Sequence, residues 1–422
     1  MTLPICSKNG ESLSFLSALF TATSATCVTG LIVADTFTQF TIIGQLCILL
    51  LIQLGGLGLV TLATFFNMII RKKIGLKTLN VAKESVNSST IFDIGHLLKV
   101  VFLATVIIEC IGAILLAITF VPQFGKSGFF ISIFLSVSAY CNAGFDILGF
   151  LGEYQSVVPF QSNPLVLCTI MGLIVAGGLG FVVWKDIWEY RKTKKLHLHS
   201  KIVLITTAIL IVLGAILFAL TEWKNYGTLG KMGFFDKITN SFFMSVTTRT
   251  AGFNSVPMEN LHGITKLFMV VFMFIGAAPG STGGGVKITT FVVLVMTVIC
   301  VIRGKEETIV LGRTVEKSVV YKAMAVVSTA LIAVIISFSA IYFTSHTGKN
   351  FSEIDSLFES VSAFATVGLS SGVTAYANAF ARFVLILTMF IGRVGPVSLA
   401  LSLALSKENK KIILPDAKIL VG

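Results

Sequence analysis

The 422-residue sequence predicts an all-α polytopic membrane protein, four span–half-helix–loop–span repeats arranged around one axis. Three observations predict it. Apolar residues make up 55% of the chain and charged residues only 12%, against roughly a quarter charged in soluble domains. Apolar stretches approaching or exceeding the ~20 residues a bilayer requires recur along the chain. A short motif closing on Gly and a large apolar residue occurs four times.

The candidate spans are 40–70, 97–121, 164–183, 202–220, 319–343 and 383–405, with an interrupted stretch at 264–302, seven spanning elements altogether. The formal charge of +12 is not spread as a nucleic-acid patch would be. Basic residues gather in four segments between or after spans: Arg71–Lys99, Lys185–Lys201, Arg303–Lys317, and the tail from Lys407. The positive-inside rule assigns those segments, and with them the C-terminus, to the cytoplasm. Nucleic acid is therefore excluded as a partner, and membrane lipid is implied.

The seven cysteines are odd in number, mostly within apolar stretches, and include no CxxC pair, so neither a disulfide framework nor a zinc site is suggested. His197 and His199, flanking Leu198 in a basic segment, read as a solvated loop. The first eleven residues lack the charged and apolar parts of a cleavable signal peptide.

The four motifs are Ser24-Ala-Thr-Cys-Val-Thr-Gly30-Leu31, Ser138-Ala-Tyr-Cys-Asn-Ala-Gly144-Phe145, Val246-Thr-Thr-Arg-Thr-Ala-Gly252-Phe253 and Ser362-Ala-Phe-Ala-Thr-Val-Gly368-Leu369. Their glycines recur about every 110 residues, the signature of an internal repeat. Before each lies a partly polar segment, 11–23, 126–139, 232–247 and 352–364, too short to span a bilayer. Irregular backbone at membrane depth is tolerated only when buried in protein or lining water. Four such loops suit a single axis, where carbonyl oxygens replace an ion's hydration shell. Glycine allows backbone angles other residues resist, and the negative ends of the half-helices favour a cation.

These motifs resemble the four filter loops of the Trk/Ktr/HKT potassium transporter superfamily, most closely the KtrB-type membrane subunits, over nearly the whole chain. The resemblance implies four membrane–pore-loop–membrane repeats around one pseudo-fourfold pore: residues 1–75, 96–190, 200–305 and 318–406, followed by a cytoplasmic tail at 407–422. It implies potassium uptake across the bacterial plasma membrane, with Na⁺ dependence a family trait and a sodium-carrying member the alternative. Carried over by matching motif, the selectivity filter comprises Thr26, Cys27, Val28, Thr29 and Gly30; Cys141, Asn142, Ala143 and Gly144; Arg249, Thr250, Ala251 and Gly252; and Ala365, Thr366, Val367 and Gly368. The Arg249 side chain is expected to point away from the axis. No cofactor and no metal beyond the transported K⁺ or Na⁺ is implied. The expected partners are a second copy of the chain and a cytoplasmic nucleotide-binding ring subunit of KtrA type.

The stretch 264–302 is broken by Gly276-Ala-Ala-Pro-Gly-Ser-Thr-Gly-Gly-Gly285, and Gly and Pro disfavour helix by about 1 and 3 kcal/mol. The order of residues through Lys287 does not match a P-loop. In the family a glycine-rich loop of the third repeat blocks the pore, and an arginine of the fourth repeat's last span contacts it. The matching gate residues are Gly276, Pro279, Gly280, Gly283, Gly284, Gly285, Lys287 and Arg393. A charge within a span is costly and faces a cavity or a partner, so Arg393 is expected to bond the loop's carbonyls. Glu109 is expected to bond between helices, and Asp35 and Asp146 to sit at the outer mouth.

The first repeat is expected to lack its first helix, since only Met1–Gly10 precedes its half-helix. A late-assigned start codon, a truncated gene and a dispensable helix are the competing explanations. No nucleophile elbow, HExxH or dinucleotide fingerprint is present, so the chain does not read as an enzyme. Broken helices in corresponding halves would signal an inverted-repeat transporter; only the third repeat shows a broken span in the sequence. No span carries the regularly spaced arginines of a voltage sensor.

Overall fold

The computed structural model describes residues 1–8, 10, 12–58, 94–344 and 351–395, excepting the side chains of 94–99 and 193. Most of the first basic segment, the second half of the 40–70 span, the end of the 383–405 span and the tail at 407–422 lie outside the described residues.

Four short helices occupy the places expected for half-helices: α1 (Phe15–Thr26), α4 (Lys126–Tyr140), α8 (Phe234–Thr247) and α12 (Glu353–Phe364). Their starts are chemically marked. Ser14 caps α1 by accepting from Ser17 N at 3.3 Å. Ser352 and Asp355 form a reciprocal capping box on α12, satisfying two donors that a helix start leaves open. The inner helices that follow the loops are α2 (Ile42–Leu57), α5 (Pro164–Gly178), α9 (Gly263–Phe274) and α13 (Ala379–Val394). Asn163 and Asn378 cap α5 and α13, with Pro164 in the first turn, where its missing N–H costs nothing.

Long outer helices precede the second, third and fourth half-helices: α3 (Ile94–Phe124), α7 (Leu198–Glu222) and α11 (Lys317–Thr344). Among the described residues these three are long and apolar enough to cross a bilayer alone. The remaining elements are α6 (Phe181–Thr193), α10 (Ile288–Ile302) and a hairpin of β1 (Thr308–Val310) with β2 (Arg313–Val315). Leu311 and Gly312 turn that hairpin with left-handed backbone at both positions, the pattern that matches strand twist in two-residue turns.

The helices pack in a closed cycle. Three half-helices pack on the outer helix that precedes them: α4 on α3, α8 on α7, α12 on α11. Each inner helix also packs on the half-helix of the next repeat: α2 on α4, α5 on α8, α9 on α12. The fourth, α13, returns to α1. Phe20, Phe134, Phe243 and Phe358, one from each half-helix, are wholly buried.

One expectation is corrected. The broken inner span is not peculiar to the third repeat. The 164–183 span stops at Gly178, and α6 departs from α5 at 95°. Helices α2 and α13 also stop, at Gly58 and Gly395, which with Gly180 have φ of 81, 86 and 88°. The signal is a second recurring motif: Gly55-Gly-Leu-Gly58, Gly177-Gly-Leu-Gly180, Gly276-Ala-Ala-Pro279 and Gly392-Arg-Val-Gly395. Strong hydrophobicity on both sides hides it in a hydropathy reading.

Candidate functional site

The four motif loops adopt one backbone. Val28, Asn142, Thr250 and Thr366 all have left-handed φ, between 51 and 70°. Two residues later, Gly30, Gly144, Gly252 and Gly368 are left-handed as well. A non-glycine in that region is disfavoured. Its recurrence at one position of four loops marks strain held by the surrounding fold.

The loops meet around one axis in chain order. A Cβ on Gly30 would stand 2.5 Å from the Ala143 carbonyl oxygen, and one on Gly144 2.7 Å from that of Ala251. One on Gly252 would stand 2.6 Å from that of Val367, and one on Gly368 would strike the Thr29 oxygen. The contacts run from loop one to two, two to three, three to four and four to one, which closes a ring. Only glycine fits at the four contacts, both by φ and by space.

Hydroxyls behind the ring hold the loops. Ser24 and Ser362 Oγ accept from Gly30 N and Gly368 N, each at 3.1 Å. Ser138 Oγ and Thr247 Oγ1 donate to the Phe145 and Phe253 carbonyls, each at 2.6 Å. The motifs contain these residues, but sequence reasoning assigned them no role. The Asn142 amide meets Thr250 Oγ1 at 3.1 Å, linking loops two and three. Cys27, Cys141, Ala143, Ala251, Ala365 and Val367 are buried. Thr26 ends α1, and its carbonyl faces Gly55. Arg249 is buried beside a small cavity lined by Ile174, Thr207 and Ile211, with its Nε unpartnered.

Residues 275–287 form a hairpin-like loop that touches the inner side of the ring. Gly276 N donates to Val286 O at 2.8 Å and Ile288 N to Ala277 O at 3.3 Å, closing the loop on itself. Ala278 N and Thr282 N donate to Gly178 O and Gly177 O, and Phe181 N donates to Gly280 O at 2.9 Å. Thr282 Oγ1 reaches the Tyr140 carbonyl at 3.3 Å, Gly284 N donates to Thr366 Oγ1 at 2.9 Å, and Gly283 lies against Thr250. Lys287 turns back on the loop, donating from Nζ to Gly283 O at 2.7 Å. Pro279 stands with its carbonyl against Gly180, and Gly285 against Ala365.

Arg393 donates to Thr282 O of this loop and to Gly55 O of α2, with a longer bond of 3.4 Å to Gly56 O. The second motif explains how it can. Glycines 55, 177 and 392 press against the end carbonyls of the half-helices, Thr26, Tyr140 and Phe364. The next position is Gly56, Gly178, Ala277 or Arg393. Three small residues leave room for one long side chain to cross from α13 to α2.

The buried carboxylates do structural work. Glu109 accepts from Gln53 Nε2 at 3.3 Å, joining α3 to α2, with Cys141 Sγ 3.9 Å away. Asp35 is buried and accepts from Phe37 N, Thr38 N and Tyr154 N. It staples the start of the short helix at Thr36–Gln39 to the loop that carries Tyr154. Asp146, half-buried beside the ring, accepts from Leu148 N at 3.0 Å. Two more were missed. Glu222 accepts from Asn225, Thr228, His262 N and Thr265, and Glu359 from Ser370, Ser371 N and Thr374. A lone Glu in an apolar helix carries no sequence signal for such a role.

The ring lies at the C-terminal ends of four helices, and each of its glycines packs on a carbonyl oxygen of the next loop. Both features favour a partly dehydrated monovalent cation over an anion or a neutral molecule.

Comparison with known proteins follows the same line. The family model described as TrkH, cation transport protein, matches residues 1–413. The Ktr system potassium uptake protein B of Bacillus subtilis (strain 168) is 40% identical over 423 residues, covering 100% of this chain and 92% of that protein. The potassium/sodium uptake protein NtpJ of Enterococcus hirae is 38% identical, with 100% and 93% covered. The crystal structure of the potassium transporter TrkH from Vibrio parahaemolyticus matches with a TM-score of 0.71 at 17% identity, over 93% of this chain and 79% of that one. At that identity the likeness is one of fold.

Proposed function

This chain belongs to the TrkH family of cation transport proteins, and from that premise we propose that it carries K⁺ into the cell as the translocating subunit of a Ktr-type uptake system. It is a multi-pass membrane transporter and not an enzyme. The observation that carries the reading is the closed ring of Gly30, Gly144, Gly252 and Gly368, each packed on the carbonyl preceding the next.

The filter is made by residues 26–30, 141–144, 249–252 and 365–368 of four repeats, 1–75, 96–190, 200–305 and 318–406. A cation entering from outside exchanges its water for their carbonyl oxygens. Fixed oxygens at the ring discriminate by how well they replace a hydration shell, which for K⁺ is held less tightly than for Na⁺. Below the ring the loop 276–287 closes the path, and Arg393 holds it there. Opening requires the loop to leave its bonds to Thr366, Gly177 and Arg393. Gly280, Gly283, Gly284 and Gly285 lower the cost of that rearrangement by giving the backbone alternative angles.

The basic segments put the loop's side, and the C-terminus, in the cytoplasm of a bacterial cell. The relatives' names speak of a Ktr system, which supports partner subunits; the reading includes a second copy of the chain and a nucleotide-binding ring. Sodium enters the name of the Enterococcus hirae relative, which supports Na⁺ as a coupling ion or an alternative cargo. The deciding measurement is Rb⁺ and Na⁺ uptake in cells without their own K⁺ uptake. Rb⁺ uptake blocked by K⁺ supports the filter; Na⁺ uptake insensitive to K⁺ moves the chain to the sodium-carrying alternative.

A further inference from the structure

Helix α6 has no part in the ring, yet it is built unlike the other helices. It leaves α5 at 95°. With α5 packed on the long apolar helix α3, and α6 far more polar than α5 in sequence, a turn of that size suits a helix lying along the bilayer surface. The surrounding basic segment assigns that surface to the cytoplasm. One edge of α6 is fixed to the protein: Phe181 and Val183 are buried, and Trp184 Nε1 donates to Ala176 O at 2.8 Å. Asp186 accepts from His197 N at 2.9 Å and meets His197 Nδ1 at 2.7 Å, which clamps α6 to the start of α7.

The other edge is open. Trp188 is 77% exposed. Arg191 and Lys192 stand three and four residues beyond Trp188, so they share its face, and exposed Lys194 follows the helix. The one acid on this stretch besides Asp186, Glu189, lies 3.8 Å from Lys185. A large amphipathic ring beside uncompensated cations on a surface-parallel helix is the chemistry of the lipid headgroup layer.

We propose that α6 is an interfacial anchor that binds anionic phospholipid headgroups through Trp188, Arg191, Lys192 and Lys194. Charge complementarity selects the occupant: the cytoplasmic leaflet is negative, and each Lys or Arg near it contributes to attraction. The anchor has a mechanical reach. Its first residue bonds Gly280 of the intramembrane loop through Phe181 N at 2.9 Å, so the headgroups it holds set the seat of that loop. The anchoring itself requires only that the chain span a membrane. The effect on the loop rests on the gating role given to residues 276–287 above.

The test uses the full-length chain in vesicles, with Trp184→Phe and Trp223→Phe leaving Trp188 as the reporter. Brominated phosphatidylglycerol should quench it more than brominated phosphatidylcholine at equal mole fraction. Replacing Arg191, Lys192 and Lys194 with Gln should cut that preference about tenfold or more, leaving equal quenching by both lipids. Equal quenching of the parent by both lipids would overturn the anionic site. No quenching by either would overturn the membrane seat and give the face to a cytoplasmic protein. A second measurement avoids removing tryptophans: phosphatidylglycerol added to detergent micelles should raise the Tm of the parent and not of the triple-Gln chain. Rb⁺ uptake by the same vesicles reports on the transport reading separately, since neither binding readout depends on the ion carried.

Discussion

Removing the Arg393 guanidinium tests whether the loop 276–287 is a gate held shut. In Arg393→Ala three bonds to carbonyls vanish, those to Thr282, Gly55 and Gly56. Only the bond to Thr282 belongs to the loop, so that one sets the effect on gating. A hydrogen bond from a charged donor contributes about 1.5–3 kcal/mol, which corresponds to roughly a ten- to hundredfold rise in the population of the released loop. The other loop anchors, Gly284 to Thr366, Thr282 N to Gly177 and Gly280 to Phe181, remain, so the increase is bounded. The assay is initial Rb⁺ uptake per unit of chain in the membrane, with and without residues 281–285. Arg393→Ala should raise uptake in the intact chain. In the loop-shortened chain it should add little, because its partner is already gone. Uptake at or below the parent level in the intact chain, with normal amounts in the membrane, would refute the latch. Equal increases in both backgrounds would show Arg393 acting on the path directly.

Gly30→Ala puts a Cβ 2.5 Å from the Ala143 oxygen at a φ of 92°, so a neighbouring loop must yield by about half an ångström, a displacement that degrades a preorganised site; Rb⁺ uptake should fall at least about tenfold with Rb⁺-over-Na⁺ preference reduced, and a parental ratio would count against the filter. Glu359→Ala leaves the Ser371 and Thr374 amides buried without their acceptor, which should cost about 3 kcal/mol of stability, read as a drop in Tm, whereas Glu359→Gln keeps an acceptor oxygen and should lose much less. Glu109→Ala removes the bridge to Gln53 between α3 and α2 and should cost about 1–3 kcal/mol; because α2 also receives Arg393, its basal Rb⁺ leak should rise too, and a variant destabilised without added leak would confine Glu109 to packing.

Several parts of this architecture are legible in residues alone. The half-helices are, because a short apolar segment next to a Gly motif recurs four times and cannot cross a bilayer. The glycines of the ring are, because four copies of one motif at near-constant spacing have no other economical reading. The break at Gly276–Gly285 is, because five glycines and a proline defeat a helix locally. The helix ends near Gly58, Gly180 and Gly395 escape notice, since two or three glycines in a strongly apolar run leave hydropathy almost unchanged. Their left-handed backbone becomes evident only in three dimensions.

The sequence by itself determined that this chain belongs in a membrane, that one loop motif recurs four times, and which glycines those loops share. These are local properties of composition, period and spacing, and they survive any arrangement of the helices. Tertiary structure alone decided the cyclic order of the loops, the use of Asp35, Glu222 and Glu359 as staples, and the reach of Arg393 to Gly55, 338 residues away in sequence. Such contacts depend on which helix closes beside which. No local propensity encodes that; it follows from packing α13 back onto α1, which closes the cycle of the four loops.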